Sequence, residues 1–150
     1  MITIRVPTLF ESDKILKWRN HPKVIRGALN QSPIPEELHT SWFKSMVEKE
    51  NIFIVEVRDE PIGVVYFDRK NEDEFEEAVW SFYVVPDKQG MKLGTTVAQL
   101  GLLAAQHRNI LAVYADIRHE NYVSLQLHSE IGFSTYMAND KVVKMHKEIY

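Results

Sequence analysis

The chain has 150 residues, 45% of them hydrophobic and 26% charged, and no cysteine, which makes one ordinary domain and excludes disulfides, thiolate metal sites and cysteine nucleophiles. Eighteen Lys and Arg face 21 Asp and Glu, a formal charge of −3, and five of the acids (Glu72, Asp73, Glu74, Glu76 and Glu77) share one stretch. With no basic stripe and no long apolar run, nucleic-acid binding and a membrane span are disfavoured; Met1–Pro7 lacks the pattern of a signal peptide, so the expected location is the cytoplasm.

Ile2–Val6 reads as a strand, and Glu11–Asn20, with Ile15, Leu16 and Trp18 among charges, as a helix ending near Pro22. A second helix is expected from Pro35, burying Leu38, Trp42 and Met46 at four-residue spacing. Then the period changes: Ile52–Val57 and Ile62–Phe67 are β-rich runs joined by Arg58–Pro61, a predicted hairpin, and Ala78–Val85 is a third run, closed by Pro86. Leu93, Val97, Leu100, Leu103 and Ala104 mark a helix after Gly90 and Gly94. Ile110–Ile117 reads as a strand, Asn121–Ile131 as a helix, Phe133–Met137 and Lys141–Ile149 as strands. The order predicts a mixed α/β fold around a mostly antiparallel central sheet flanked by helices.

Two segments carry chemistry. Val84–Thr95 joins a strand to a helix through a glycine-bearing loop, where free backbone N–H groups and the helix dipole favour a phosphate, with Lys88 and Lys92 beside it. It lacks the Gly-Lys-Ser/Thr ending of a triphosphate loop and is equally readable as a plain strand–helix turn. In the second segment, Asn121, Ser124 and His128 share one helix face, able to line a cleft, while Val123, Leu127 and Ile131 share the packing face.

Together the strand ending Val84-Val85-Pro86, the Gln89-x-x-Lys92-x-Gly94 loop, and Asn121-x-x-Ser124 with Gly132-Phe133 resemble the GNAT acetyltransferase family, in element order along essentially the whole chain. The resemblance implies that Gln89, Gly90, Met91, Lys92, Gly94 and Thr95 hold the pyrophosphate of acetyl-CoA. It also implies that the preceding strand splays from its neighbour, so that main-chain groups near Val84 and Val85, with Asn121 and Ser124, meet the pantetheine arm. Lys92 stands where the family has its first loop glycine, so an L-residue conformation is expected there. Val79 stands where many members carry a general-base Glu, and His128 where many carry a Tyr near the sulfur. Trp18–Val24, Glu37–Trp42, Asp59–Val64 and Trp80–Tyr83 are similar to a narrower branch, the N-acetyltransferases of pseudaminic-acid biosynthesis, which act on a UDP-linked 4-amino-4,6-dideoxy sugar. The same region also resembles enzymes that acetylate ribosomal-protein N-termini. By this likeness Arg19, Asn20 and His39 border the acceptor.

Acetyl transfer to an amine needs a neutral amine, a place for the developing oxyanion and a proton for the thiolate, with no metal. The six His residues show no metal-ligand spacing. Candidate bases are Asp116, which interrupts an apolar strand and reads equally as an ion-pair partner of Arg118, and Glu77, on the same strand face as Val79 and about 7 Å back along it. His128 is the candidate proton donor, with Tyr122 or a water as substitutes. The leading expectation is an amino-sugar N-acetyltransferase using acetyl-CoA, a homodimer being compatible; a protein or peptide α-amine acetyltransferase and a non-catalytic binding module are the alternatives.

Overall fold

The computed structural model describes residues 1–69 and 76–149; the solvated loop expected at Glu72–Glu76 lies mostly outside them. Strand β1 (Ile2–Arg5) leads through a 3-10 turn at Leu9–Glu11 to α1 (Ser12–Asn20), the four-residue α2 (Pro22–Ile25) and α3 (Glu36–Glu48). Then come β2 (Ile52–Val57), β3 (Glu60–Asp68), β4 (Glu77–Val84), α4 (Gly94–His107), β5 (Ala112–Arg118), α5 (Tyr122–Glu130), β6 (Ser134–Ala138) and β7 (Val142–Glu148). The strands form one sheet in the order β1-β2-β3-β4-β5-β7-β6. Every neighbouring pair is antiparallel except β4 and β5, which the α4 crossover brings parallel.

The hairpin between β2 and β3 is tighter than Arg58–Pro61 suggests. Arg58 and Asp59 alone make the turn, both with positive φ (52° and 66°), the backbone that matches strand twist in two-residue hairpins. Pro61 falls inside β3, tolerated at the register shift opposite Val55 and Glu56.

Side-chain alternation sends Phe53, Val65, Phe67, Trp80 and Val113 to one face, where they pack under α4 and α5. Ile52, Ile54 and Val64 go to the other, under Ile15 of α1 and Phe43 and Met46 of α3. Gly63 lets α4 lie close to β3, because a Cβ there would sit 2.5 Å from Val97 Cγ2. Three helix faces depart from the sequence expectation. On α3 the buried stripe is His39, Phe43 and Met46, while Leu38 is 67% exposed. On α4 Gly101 is buried and Leu103 faces out. On α5 Val123 is exposed and His128 is the most buried residue. In each case a small or hydrogen-bonded polar residue occupies the interior that counting apolar side chains gave to its neighbour.

Candidate active site

The site begins where the sheet fails to pair. β4 and β5 match only at Glu77–Ala112, Ala78–Val113 and Val79–Tyr114; beyond Val79 they separate, leaving a gap bordered by Trp80–Val84 and Ala115–Arg118. Which main-chain groups face the gap follows from the neighbouring ladders. The Val85 N–H donates to Ile62 O at 2.9 Å, so Val85 is committed to β3, and alternation turns the N–H and C=O of Phe82 and Val84 toward β5. This corrects the expectation for Val85 and adds Phe82, whose role does not depend on its side chain. Across the gap, the Ile149 N–H donates to Leu111 O, which by the same alternation turns the main chain of Asp116 and Arg118 toward β4.

At the open end of the gap lies the phosphate-type loop. Gln89 folds back, its Nε2 donating to Val84 O at 2.7 Å. Gly90 has φ +81° with nothing within 4 Å of a Cβ placed on it, and Lys92 has φ +59°. Lys92 therefore takes a left-handed backbone, against the sequence expectation, at a cost of about 1–2 kcal/mol. Leu93, the N-cap of α4, gives no side-chain cap, so the first-turn amides of Gly94, Thr95 and Thr96 are open to an anion beside exposed Met91 and Lys92. Lys88 is already engaged by Glu60 at 2.9 Å, which raises the lysine and lowers the carboxyl. A Cβ on Gly94 would stand 3.1 Å from Leu127 Cδ1, so the loop and α5 are in van der Waals contact.

Asn121, Ser124 and His128 are brought together as a chain of hydrogen bonds. Asn121 Oδ1 accepts from the Ser124 N–H at 3.2 Å and caps α5, while its Nδ2 donates to Gly27 O at 3.2 Å, reaching across to the chain after α2. The Trp80 indole N–H donates to His128 Nε2 at 3.1 Å, which leaves the ring proton on Nδ1, donating to Ser124 O at 2.8 Å. Trp80, Phe82 and Phe133 surround the ring. Burial holds the His128 imidazole below its ordinary value. His128 is thus a neutral ring with both nitrogens engaged, and its expected role as an imidazolium donor on a cleft-lining face is corrected: that face turns inward.

On the other side of the sheet a cavity of about 290 Å³ lies between α1, α3 and β2–β4, with Arg19, His39, Trp42, Tyr66 and Tyr83 among its walls. Leu38 and Trp42 turn toward this cavity. Arg19 and His39 are buried, at 8% and 2% exposure. Arg19 Nη2 donates to Asn30 O at 2.9 Å, and the His39 Nε2–H to Ser12 O at 3.1 Å, burial lowering the His39 pKa. Asn20 differs. Its amide pairs with both main-chain groups of Ile34, at 2.8 and 3.0 Å, which makes it a clamp on the loop before α3. Burial pushes the Tyr83 hydroxyl up, so it keeps its proton.

Asp116 and Glu77 are not together. Continued register would set Asp116 opposite Ser81, on the gap and on the sheet face shared with Tyr83; its partner is Lys144 at 3.1 Å, while Arg118 pairs with Glu120. Glu77 is exposed at the paired foot, six residues and roughly 20 Å of strand from Tyr83. A second, wider cavity of about 760 Å³ opens between Lys23, Arg26, Gly90, Arg118 and Asn121, with three cations around its rim that sequence spacing did not link. Among the described residues no group of three His, Asp or Glu is placed to hold a metal ion, and no helix is long and apolar enough to cross a membrane.

A family profile described as Acetyltransferase (GNAT) family matches residues 13–133. No protein of curated function matches the sequence. Solved structures share the fold. A spermidine N-acetyltransferase from Vibrio cholerae, in complex with CoA and spermine, aligns over 99% of this chain and 95% of its own with a TM-score of 0.82 at 17% identity. A ribosomal-protein-alanine N-acetyltransferase from Brucella melitensis aligns over 97% and 99% with a TM-score of 0.79 at 18% identity. A phosphinothricin acetyltransferase from Sinorhizobium meliloti, in complex with AcCoA, aligns over 99% and 88% with a TM-score of 0.79 at 14% identity.

Proposed function

The chain belongs to the acetyltransferase (GNAT) family, and on that premise we propose that it transfers the acetyl group of acetyl-CoA to the amino group of an anionic acceptor, a nucleotide-linked amino sugar, in the cytoplasm. The observation that carries the cofactor reading is the unpaired β4–β5 gap ending beside the uncapped N-terminus of α4. A pyrophosphate fits the amides of Gly94, Thr95 and the Gly90–Lys92 turn, and an amide-bearing arm fits the free N–H groups of Phe82 and Val84. Gly94 also keeps the loop against Leu127 of α5.

Acetyl-CoA supplies an acetyl group already activated as a thioester, so the protein's part is to hold reactants and to move protons. Asp116, on the gap and on the face of the acceptor chamber, is the group we assign to accept the amine's proton, with Lys144 holding the carboxylate in place. His128 positions Trp80 and the start of α5. The exposed Tyr122 at the head of α5, next to Asn121, is a hydroxyl that can supply the thiolate's proton.

The nucleotide-sugar reading is supported by Lys23 and Arg26 on the rim of the wide cavity, cations suited to phosphates, beside Arg118, which is paired with Glu120. Thiol release from acetyl-CoA tests it against UDP-linked 4-amino sugars and peptides, and a chain without cysteine adds no thiol background. Turnover of the sugar nucleotide is expected. Turnover of peptides alone would move the acceptor to protein α-amines, and acetyl-CoA binding without thiol release from any amine would make the chain a binding module.

A further inference from the structure

Lys23 and Arg26, the two free cations on the rim of the wide cavity, stand on one small element. They are three apart, hence on one side of α2, and both are exposed. Among the described residues neither has an ion-pair partner, whereas Arg118 is taken by Glu120. A single turn does not hold its own shape, so α2 depends on what bonds its ends. Val24, 5% exposed, fixes the inner side, and His21 Nδ1 accepts the Lys23 N–H at 3.1 Å. At the far end the carbonyls of Arg26 and Gly27 receive no backbone donor. Two side-chain amides supply one: Gln31 Nε2 donates to Arg26 O at 2.9 Å, and Asn121 Nδ2 to Gly27 O at 3.2 Å. Gln31 belongs to the same loop. Asn121 comes from the head of α5, where its Oδ1 is the helix cap.

We propose that Asn121 is a positioning residue for the acceptor's diphosphate: it acts through α2, holding Lys23 and Arg26 at the wide cavity. This rests on the nucleotide-sugar reading. It gives the Asn121 amide to the acceptor, in place of the pantetheine contact that the family resemblance implies. Two long cations on a loosely held turn must be ordered when a diphosphate binds, and a turn bonded at both ends has less freedom to lose. Gln89 and Gly90 of the cofactor loop line the same cavity, so an acceptor diphosphate there lies beside the cofactor's own pyrophosphate. The two anions repel, and cations held at that cavity offset the repulsion.

The test is Asn121→Ser. Serine caps a helix about as well as asparagine but is too short to reach Gly27 O. Each exposed cation contact is worth about a factor of two to five. The KM for a UDP-linked 4-amino sugar should therefore rise at least about threefold more than the KM for acetyl-CoA. The double variant Lys23→Gln/Arg26→Gln should show the same bias, and adding Asn121→Ser to it should raise the acceptor KM no further. Calorimetry with inorganic pyrophosphate, on protein saturated with CoA, reads the same series without turnover: Asn121→Ser and the double variant should each weaken binding, and their losses should not add. A KM rise confined to acetyl-CoA would return Asn121 to the cofactor and overturn the inference. So would additive losses in the triple variant, absence of pyrophosphate binding to the parent, or binding unchanged in Asn121→Ser. Turnover of peptides alone would count against the nucleotide sugar only, since the calorimetry judges the positioning independently.

Discussion

Replacing His128 by Leu separates a structural role from a chemical one. The substitution keeps a similar volume inside the cage of Trp80, Phe82 and Phe133 but removes the acceptor for the Trp80 indole N–H, 3.1 Å away in a residue only 3% exposed. A buried donor left unpaired costs about 1–3 kcal/mol. For a domain of this size each kcal/mol lowers Tm by about 2–4 °C, so the variant should melt roughly 2–12 °C below the parent. The control is Trp80→Phe, which removes the donor. In its background His128→Leu has no orphan to create, and the pair should show a coupling of about 1 kcal/mol. Differential scanning calorimetry on the four proteins gives the cycle, and thiol release gives kcat on the same samples. Loss of a general acid would instead lower kcat by about 10²–10⁴-fold at unchanged Tm. That outcome, a hundredfold slower enzyme with parental melting and no coupling to Trp80, would refute the positioning role and restore His128 as proton donor.

Burial holds both His39 and His128 below their ordinary pKa, so the unfolded chain binds more protons in the window below about 6.5. Stability is complete above that pH and is lost as pH falls through it; Tm measured between pH 7.5 and 5 should decline, and a rise would contradict the assignment. Lys92→Gly, which relieves the left-handed backbone, should leave Tm unchanged or raise it by a few degrees, whereas Lys92→Val should cost about 1–2 kcal/mol by thermal melting. Gly94→Val should raise KM for acetyl-CoA at least tenfold by driving the loop from α5, and adding Leu127→Ala should recover much of the loss in steady-state kinetics.

The fold was largely legible because strands β2–β5 and the crossover helix carry patterns of period 2 and 3.6 that depend on neighbours in sequence. What was hidden depends on partners far away. His39 and His128 look like surface residues until Ser12 O and the Trp80 indole satisfy them, which is why apolar spacing alone sets the stripes of α3 and α5 one face away. Lys88 reads as a free cation until Glu60, 28 residues earlier, takes it. Phe82 is silent in the sequence because its contribution is a main-chain N–H, which no side chain signals. Asn20 was legible as a residue near the acceptor but not as the clamp on Ile34, since that pairing spans an irregular loop. The loop glycines were readable, but the left-handed backbone at Lys92 was not, because a lysine ordinarily argues against it.

The three-rung parallel contact between β4 and β5 divides the sheet in a further sense. Strands β1–β4 and β5, β7 and β6 each form antiparallel ladders, with register shifts at Val55/Glu56 and Thr135/Met137, and what joins the two halves is that short foot, the helices packed across it, the contacts of Trp80 with His128 and Phe133, and the tie from Asn121 to Gly27. Backbone protection against solvent exchange should follow this division. Amides of Val55, Val64 and Tyr83, inside the first ladder, and of Ala115 and Met145, inside the second, should exchange as two separate slow groups. The Phe82 and Val84 amides, unpaired on the gap, should exchange within the fast fraction until a ligand occupies them, after which the two groups should merge into one opening unit.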